Sequence, residues 1–90
     1  MIVTIAQVTD LDRFLEVFSG IGATKRLEHG CKGARVFVDP EHPGRVWSIF
    51  DWEPEDYARF LADPAIPAIA RQLGLKSAPV QVFASAECDS

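Results

Sequence analysis

Ala34-Arg35-Val36-Phe37-Val38-Asp39-Pro40-Glu41-His42-Pro43-Gly44-Arg45-Val46-Trp47-Ser48-Ile49-Phe50-Asp51-Trp52 reads as two strands, Ala34 to Asp39 and Arg45 to Trp52, folded back on each other. Pro40, Pro43 and Gly44 punctuate the turn, because proline fixes φ and glycine frees it. Opposing Val38 with Val46 sets the register. Val36 then opposes Ser48 and Ala34 opposes Phe50 on one side, while Phe37 opposes Trp47 and Arg35 opposes Ile49 on the other. The first set is small and apolar, as a surface beneath helices requires. The second set holds large aromatics that a uniformly solvated face does not carry.

Upstream of this hairpin, Ile2 to Val8 is a β-rich run closed by Thr9-Asp10. Asp10 suits an N-cap, and Leu11, Phe14, Leu15 and Phe18 fall at i, i+3, i+4 and i+7 of an amphipathic helix. Ser19-Gly20-Ile21-Gly22 predicts an interruption, since each glycine costs about 1 kcal/mol in a helix interior. The helix resumes from Ala23 to Glu28, with Lys25, Arg26 and His29 suited to a C-terminal turn and Gly30 to the position beyond it. Downstream, Pro54 with Glu55 and Asp56 starts a second helix. Its inner stripe is Tyr57, Phe60 and Leu61. Asp63-Pro64 resets the phase, and Ile66, Ile69 and Leu73 continue it to Gly74. Pro79 to Ala84 is the last strand.

The order β-α-β-β-α-β is the split-βαβ, ferredoxin-like arrangement. It predicts an α+β fold in one domain over residues 1–90, with a four-stranded antiparallel sheet in the order 4-1-3-2. Right-handed crossovers place both helices on one face of that sheet. The other face then holds Phe37, Trp47 and Ile49, with Phe83 expected to join them and Arg35, Asp51 and Gln81 among them. A second copy of the chain supplies the matching patch, so the expected assembly is a homodimer through the uncovered sheet face.

Composition excludes several classes. Of 90 residues, 48% are apolar and 24% charged, which is not the profile of a disordered chain. The formal net charge of −4 disfavours a nucleic-acid partner. RNA-recognition domains share this strand order, yet Arg45-Val46-Trp47-Ser48-Ile49-Phe50 lacks their stacking-motif pattern. No apolar run approaches the ~18–20 residues that cross a bilayer, and Met1 to Ile5 has no signal-peptide pattern. Cys31 and Cys88 form no metal or redox spacing, so a reduced, cytoplasmic protein is expected. The strand order sets these cysteines about 14 Å apart, past the ~7 Å reach of a disulfide.

The run His29-Gly30-Cys31-Lys32-Gly33-Ala34-Arg35-Val36-Phe37, then Asp39-Pro40 and Pro43, resembles a known family. So do Phe50-Asp51-Trp52-Glu53, Phe60-Leu61-Ala62-Asp63-Pro64, Gly74 and Pro79. Together they resemble the antibiotic biosynthesis monooxygenase-like group of the dimeric α+β barrel superfamily, over about residues 2–86. The resemblance implies a homodimer whose two sheets form a barrel, with a cavity between helices and sheet in each subunit. Its members include cofactor-independent oxygenases of aromatic polyketides and haem-degrading enzymes. The haem-degrading branch carries a Trp-Leu pair and a ligating His ten residues after that Trp. Phe60-Leu61 and Ala70 stand at those positions here, so haem chemistry has no axial ligand.

The expected function is therefore a cofactor-independent oxygenase or cyclase of a small aromatic or polyketide-like compound. The rival reading is a non-catalytic small-molecule-binding or sensory dimer. Candidate catalytic groups are Gln7, His29 and Tyr57. Gln7 lies close to a polar amide of the haem-degrading branch, and His29 is of the commonest general-base type, although a histidine ending a helix also simply complements its dipole. Trp47, Trp52 and Phe60 are candidates to bind an apolar or aromatic ligand, and Arg35 to hold an acidic one. No cofactor and no metal is expected: a whole strand, about 13 Å, separates His29 and Cys31 from Asp39 and His42. Gly20-Ile21-Gly22 has no strand before it and makes no dinucleotide loop. Asp51, Glu53, Glu55 and Asp56 read as acids completing a helix N-terminus.

Overall fold

A computed structural model describes residues 1–85. Its elements are β1 (Ile2–Gln7), α1 (Leu11–Ser19), α2 (Ile21–Glu28), β2 (Gly33–Val38), β3 (Arg45–Asp51), α3 (Pro54–Leu61), α4 (Ile66–Leu73) and β4 (Val80–Val82). Each helix expected from the sequence is thus a pair of short ones. Asp10 caps α1, its side chain accepting from the Arg13 amide at 3.2 Å. Gly20, at φ −97° and ψ −107°, ends α1 and begins α2, so the break falls at the Ser19–Gly22 run. Pro54 opens α3 with Glu55 and Asp56 in its first turn, where acids favour the positive end of the helix dipole. Asp63 separates α3 from α4, its carbonyl accepting from the Ile66 amide at 3.0 Å.

The strands form one antiparallel sheet in the order β2-β3-β1-β4. Between β2 and β3 the pairs are Val38 with Val46, Phe37 with Trp47, Val36 with Ser48, Arg35 with Ile49 and Ala34 with Phe50, the register that the hairpin sequence predicts. The last strand corrects one expectation. Val80 pairs with Ile5, Gln81 with Thr4 and Val82 with Val3. Gln81 therefore shares the helix-covered face with Thr4, and the open face receives Val80 and Val82 instead. Phe83 lies beyond the end of β4 and is 78% exposed. A one-residue difference in phase flips every side chain of a strand, and the short β4 enters from Pro79 in the other phase. Cys88 lies outside the described residues, and with it the expected absence of a bridge to Cys31.

The helices cover β1 and β3 but leave most of β2 open, with Val36 alone of its side chains half-buried against the core. Ala34 and Val38 share the helix-side face with Phe50 and Val46, yet both are exposed. On the face the helices do cover, side chains run in rows across the sheet. The row of Ile2 and Phe50 belongs to a buried cluster with Cys31, Trp52 and Tyr57. The row of Ala6 and Val46 belongs to a second cluster with Val8 and Phe14. Phe18 packs against both. Between these two rows lies the pair Thr4 and Ser48, and the core is divided there.

Candidate active-site cavity

Thr4 of β1 and Ser48 of β3 put short, hydroxyl-bearing side chains under the helices. They are 5% and 4% exposed, and they floor a cavity of about 120 Å³ between sheet and helices. Its walls are large where its floor is small. Phe14 and Phe18 come from α1, Phe50 and Trp52 from β3 and the residue after it, Tyr57 and Phe60 from α3, and Ile66, Ile69 and Leu73 from α4. Small residues at the centre and aromatics at the rim produce a void rather than a closed core.

One rim is an aromatic cluster centred on Trp52. Its ring centroid lies 4.9 Å from that of Phe60, 5.3 Å from Tyr57 and 5.6 Å from Phe50. These separations belong to the tilted and edge-to-face contacts that aromatic quadrupoles favour. The indole N–H donates to the His29 carbonyl at 2.8 Å, which ties β3 to the end of α2. Burial pushes the Tyr57 phenol above its ordinary value, so at neutral pH the group is a hydrogen-bond donor.

Arg26 from α2 also borders the cavity. Its guanidinium carbon lies 3.9 Å over the Phe18 ring and 5.7 Å from the Phe50 ring centroid. Gly22, one helical turn earlier, also lines the cavity. A Cβ at Gly22 would meet Arg26 Nη1 at 3.3 Å and the Val17 carbonyl at 3.1 Å. The glycine therefore makes room for the guanidinium to fold back along the helix toward Phe18.

The sequence candidates fall in three places. Tyr57, Trp52 and Phe60 line the cavity together. Gln7, Arg35 and Trp47 lie on the far side of the sheet, Trp47 in the row of Ile5, Arg35 in that of Val3 and Gln7 opposite Arg45, and none borders the cavity. His29 stands at the end of α2 and faces the α3–α4 turn rather than the cavity. Its Nε2 lies 3.0 Å from Asp63 Oδ2, and the same oxygen accepts from Lys25 Nζ at 3.1 Å. Its ring also packs edge-on against Phe60. Glu28, His29 and Asp63 bring their ligand atoms within 4.8 Å of one another, the spacing of a metal site. The Lys25 ammonium bonds both carboxylates, at 2.9 Å from Glu28 and 3.1 Å from Asp63, and supplies the positive charge there itself.

Sequence reading missed Thr4, Ser48 and Arg26. The signal for Arg26 was present: Phe14, Phe18, Gly22 and Arg26 repeat every four residues, a single face carried across the helix break. The arginine therefore continues the buried stripe and not the solvated helix end. No equivalent signal exists for Thr4 or Ser48, whose role depends on which strands the helices cover. None of the cavity-lining residues is Asp, Glu, His or Lys among the described residues.

No protein-family profile matches the sequence, and no curated protein matches it significantly. Solved structures do resemble the fold. A mutant of SnoaB, a cofactor-independent oxygenase from Streptomyces nogalater, superposes with a TM-score of 0.70 at 18% identity, over 99% of this chain and 95% of that one. A protein solved as an antibiotic biosynthesis monooxygenase gives 0.64 at 18% identity, over 97% of each chain. A candidate enzyme of the same description from Deinococcus radiodurans gives 0.65 at 16% identity, over 100% and 98% of the two chains.

Proposed function

Starting from a chain that has the fold of the antibiotic biosynthesis monooxygenases, we propose that it is a homodimeric, cofactor-independent oxygenase of a small aromatic compound. The observation that carries this reading is the apolar cavity floored by Thr4 and Ser48 and walled by Trp52, Tyr57 and Phe60. Cofactor-free oxidation asks little more of a protein. The substrate enters as a carbanion, enolate or phenolate, gives one electron to O₂, and the two radicals recombine to form the new C–O bond. The cavity excludes water, stacks the ring against aromatic walls, and offers the Tyr57 phenol as a hydrogen bond to the charged oxygen.

The dimer rests on the open face of the sheet. Ile5, Phe37, Trp47, Ile49, Val80 and Val82 share it, with Phe37 49% and Val80 62% exposed in the isolated chain. A contiguous apolar face of this kind marks an interaction surface, and a two-fold partner covers it with its own copy.

Oxygen consumption with a panel of electron-rich hydroxyaromatics tests the assignment. Uptake is expected with single-ring substrates, and Tyr57→Phe is expected to lower it on the order of 10²-fold, the effect of removing one donor to a developing oxyanion. Binding across the panel without any uptake overturns the oxygenase reading in favour of a binding module. One observation favours that rival: the absence of a carboxylate or imidazole among the described cavity-lining residues leaves no internal base.

A further inference from the structure

β2 is an edge that nothing in the chain covers. All of its residues from Gly33 to Val38 except Val36 are exposed. β3 pairs with one side of it, and among the described residues no strand pairs with the other. The ladder with β3 continues to Asp39, whose amide donates to the Arg45 carbonyl at 3.1 Å. Antiparallel alternation then turns the amides and carbonyls of Ala34, Val36 and Val38 outward. Arg35 apart, the edge is apolar, and such an edge is a template for a further strand.

β4 is the opposite edge. Carried one residue past Val82, its register places Phe83 in the row of Ile2 and Phe50, and Ala34 stands at the far end of that row. The row begins with a phenyl ring and ends with a methyl group. Beside Ala34, between α2 and β2, lies a groove of about 180 Å³ lined also by Ala23, Leu27 and Cys31. A protein cavity of about 150 Å³ accommodates benzene, so the groove has room for a phenyl ring. After Met1, Phe83 and Leu27 are the most exposed large apolar side chains among the described residues. Ring and groove of one chain cannot meet, because three strand spacings, about 14 Å, separate them. Between copies they meet in one of two ways: head to tail as an open fibre, or as a closed pair about a two-fold axis. A two-fold axis along the strands lays the open sheet faces on each other. It also brings β4 of each copy antiparallel alongside β2 of the other, row against row. Charge agrees with that pairing: Lys32 and Arg35 flank Ala34, whereas the sequence after Phe83 carries Glu87 and Asp89 and no base.

We infer that Phe83 of each copy seats in the α2–β2 groove of the other, against Ala34 and Leu27, and that β4 extends the partner's sheet at the β2 edge. The inference rests on the homodimer of the proposed function and names the surfaces that complete it beyond the sheet face. Arg26 borders both the groove and the cavity, so the partner's ring backs one wall of the cavity.

Disulfide trapping on the full chain tests the seat, with Ala34→Cys and Phe83→Cys combined in a Cys88→Ser background. A disulfide spans at most ~7 Å between Cα atoms, so the ~14 Å between the two edges of one sheet excludes a link within a chain. Oxidation is expected to give a covalent dimer, with peptide mass mapping joining position 83 to position 34 or to the native Cys31. Links of 34 to 34 or 83 to 83 overturn the inference, since they bring like edges together. Absence of any link also overturns it. Phe83→Ala is expected to weaken the dimer about 10–100-fold by light scattering across a dilution series, the effect of truncating an interface aromatic. An unchanged dissociation constant contradicts the seat. Phe83 is exposed in the isolated chain, so its truncation leaves the core of each copy intact. A dimer that fails these tests overturns the seat alone, whereas a wild-type chain that is monomeric at micromolar concentration overturns the homodimer with it.

Discussion

Asp63 shows how one carboxylate can hold an element junction. It accepts from Lys25 Nζ, from His29 Nε2 and, through Oδ1, from the Ala65 amide at 2.9 Å. The His29 hydrogen bond first, then the Ala65 amide and Lys25, hold its carboxyl well below the ordinary value of 3.8. A group whose folded value is depressed contributes stability above its unfolded value and loses that contribution as pH falls toward the folded one. Asp63→Asn is therefore expected to lower Tm by a constant amount above about pH 5, with the gap closing as the pH falls below about 4. Thermal melts of both proteins between pH 7 and pH 2 measure it, and a gap unchanged at pH 2 contradicts the assignment. The same residue explains why His29 misleads at the sequence level. Histidine type and position suggest a general base, but only the tertiary contact shows its ring spent on a carboxylate outside the cavity. Arg26 shows the reverse, a residue whose position in the sequence suits a solvated helix end but which is half-buried against Phe18.

At the scale of the elements, boundaries follow local chemistry closely. The Asp10 cap, the glycine break, the Pro54 start and the Gly74 stop all lie where the sequence puts them, because each depends on one or two residues and their neighbours. Gly74 is the sharpest of these. It ends α4 at φ 72°, and its carbonyl accepts from the Thr9 amide at 3.0 Å, so the same residue that stops the helix fastens it to the end of β1. An added Cβ would stand 2.7 Å from Thr9 Oγ1. Gly74→Ala is expected to cost at least about 1–2 kcal/mol, the penalty for a side chain in the left-handed region, and to lower Tm by roughly 4–16 °C. Urea denaturation checks it, and Gly74→Ala combined with Thr9→Ala should recover the crowding part but not the backbone part. What local chemistry does not fix is the phase of a short strand. β4 is three residues long, and its run Val80-Gln81-Val82 is followed directly by Phe83, so the local composition permits either face. The pairing with β1 decides it.

For the molecule as a whole, the sequence predicts the sheet order and the hairpin register, and with them an apolar face that no helix covers. It does not reveal how far the helices extend across the sheet, and so it does not reveal that most of β2 lies open or that a cavity opens above Thr4 and Ser48. Those are properties of packing between distant segments. The open face carries the prediction that belongs at this scale. Trp47→Asp puts a carboxylate into the proposed dimer contact, where an unpaired charge costs on the order of 3–5 kcal/mol. Light scattering at micromolar concentration is expected to show a dimer for the wild-type chain and a monomer for the variant. A variant that remains dimeric would place the contact elsewhere.

The division of the core into two clusters joined by Phe18 has a thermodynamic corollary. A domain of this size normally draws its cohesion from one continuous interior, and here the middle row of that interior is a pair of hydroxyl-bearing side chains beneath empty space. A ring seated there would touch both clusters at once and act as the row the polypeptide does not provide. Ligand binding would then be a completion of folding as well as an act of recognition. Occupancy would raise the unfolding free energy by RT ln(1 + [L]/Kd) and would draw the two halves of the molecule into a single cooperative unit.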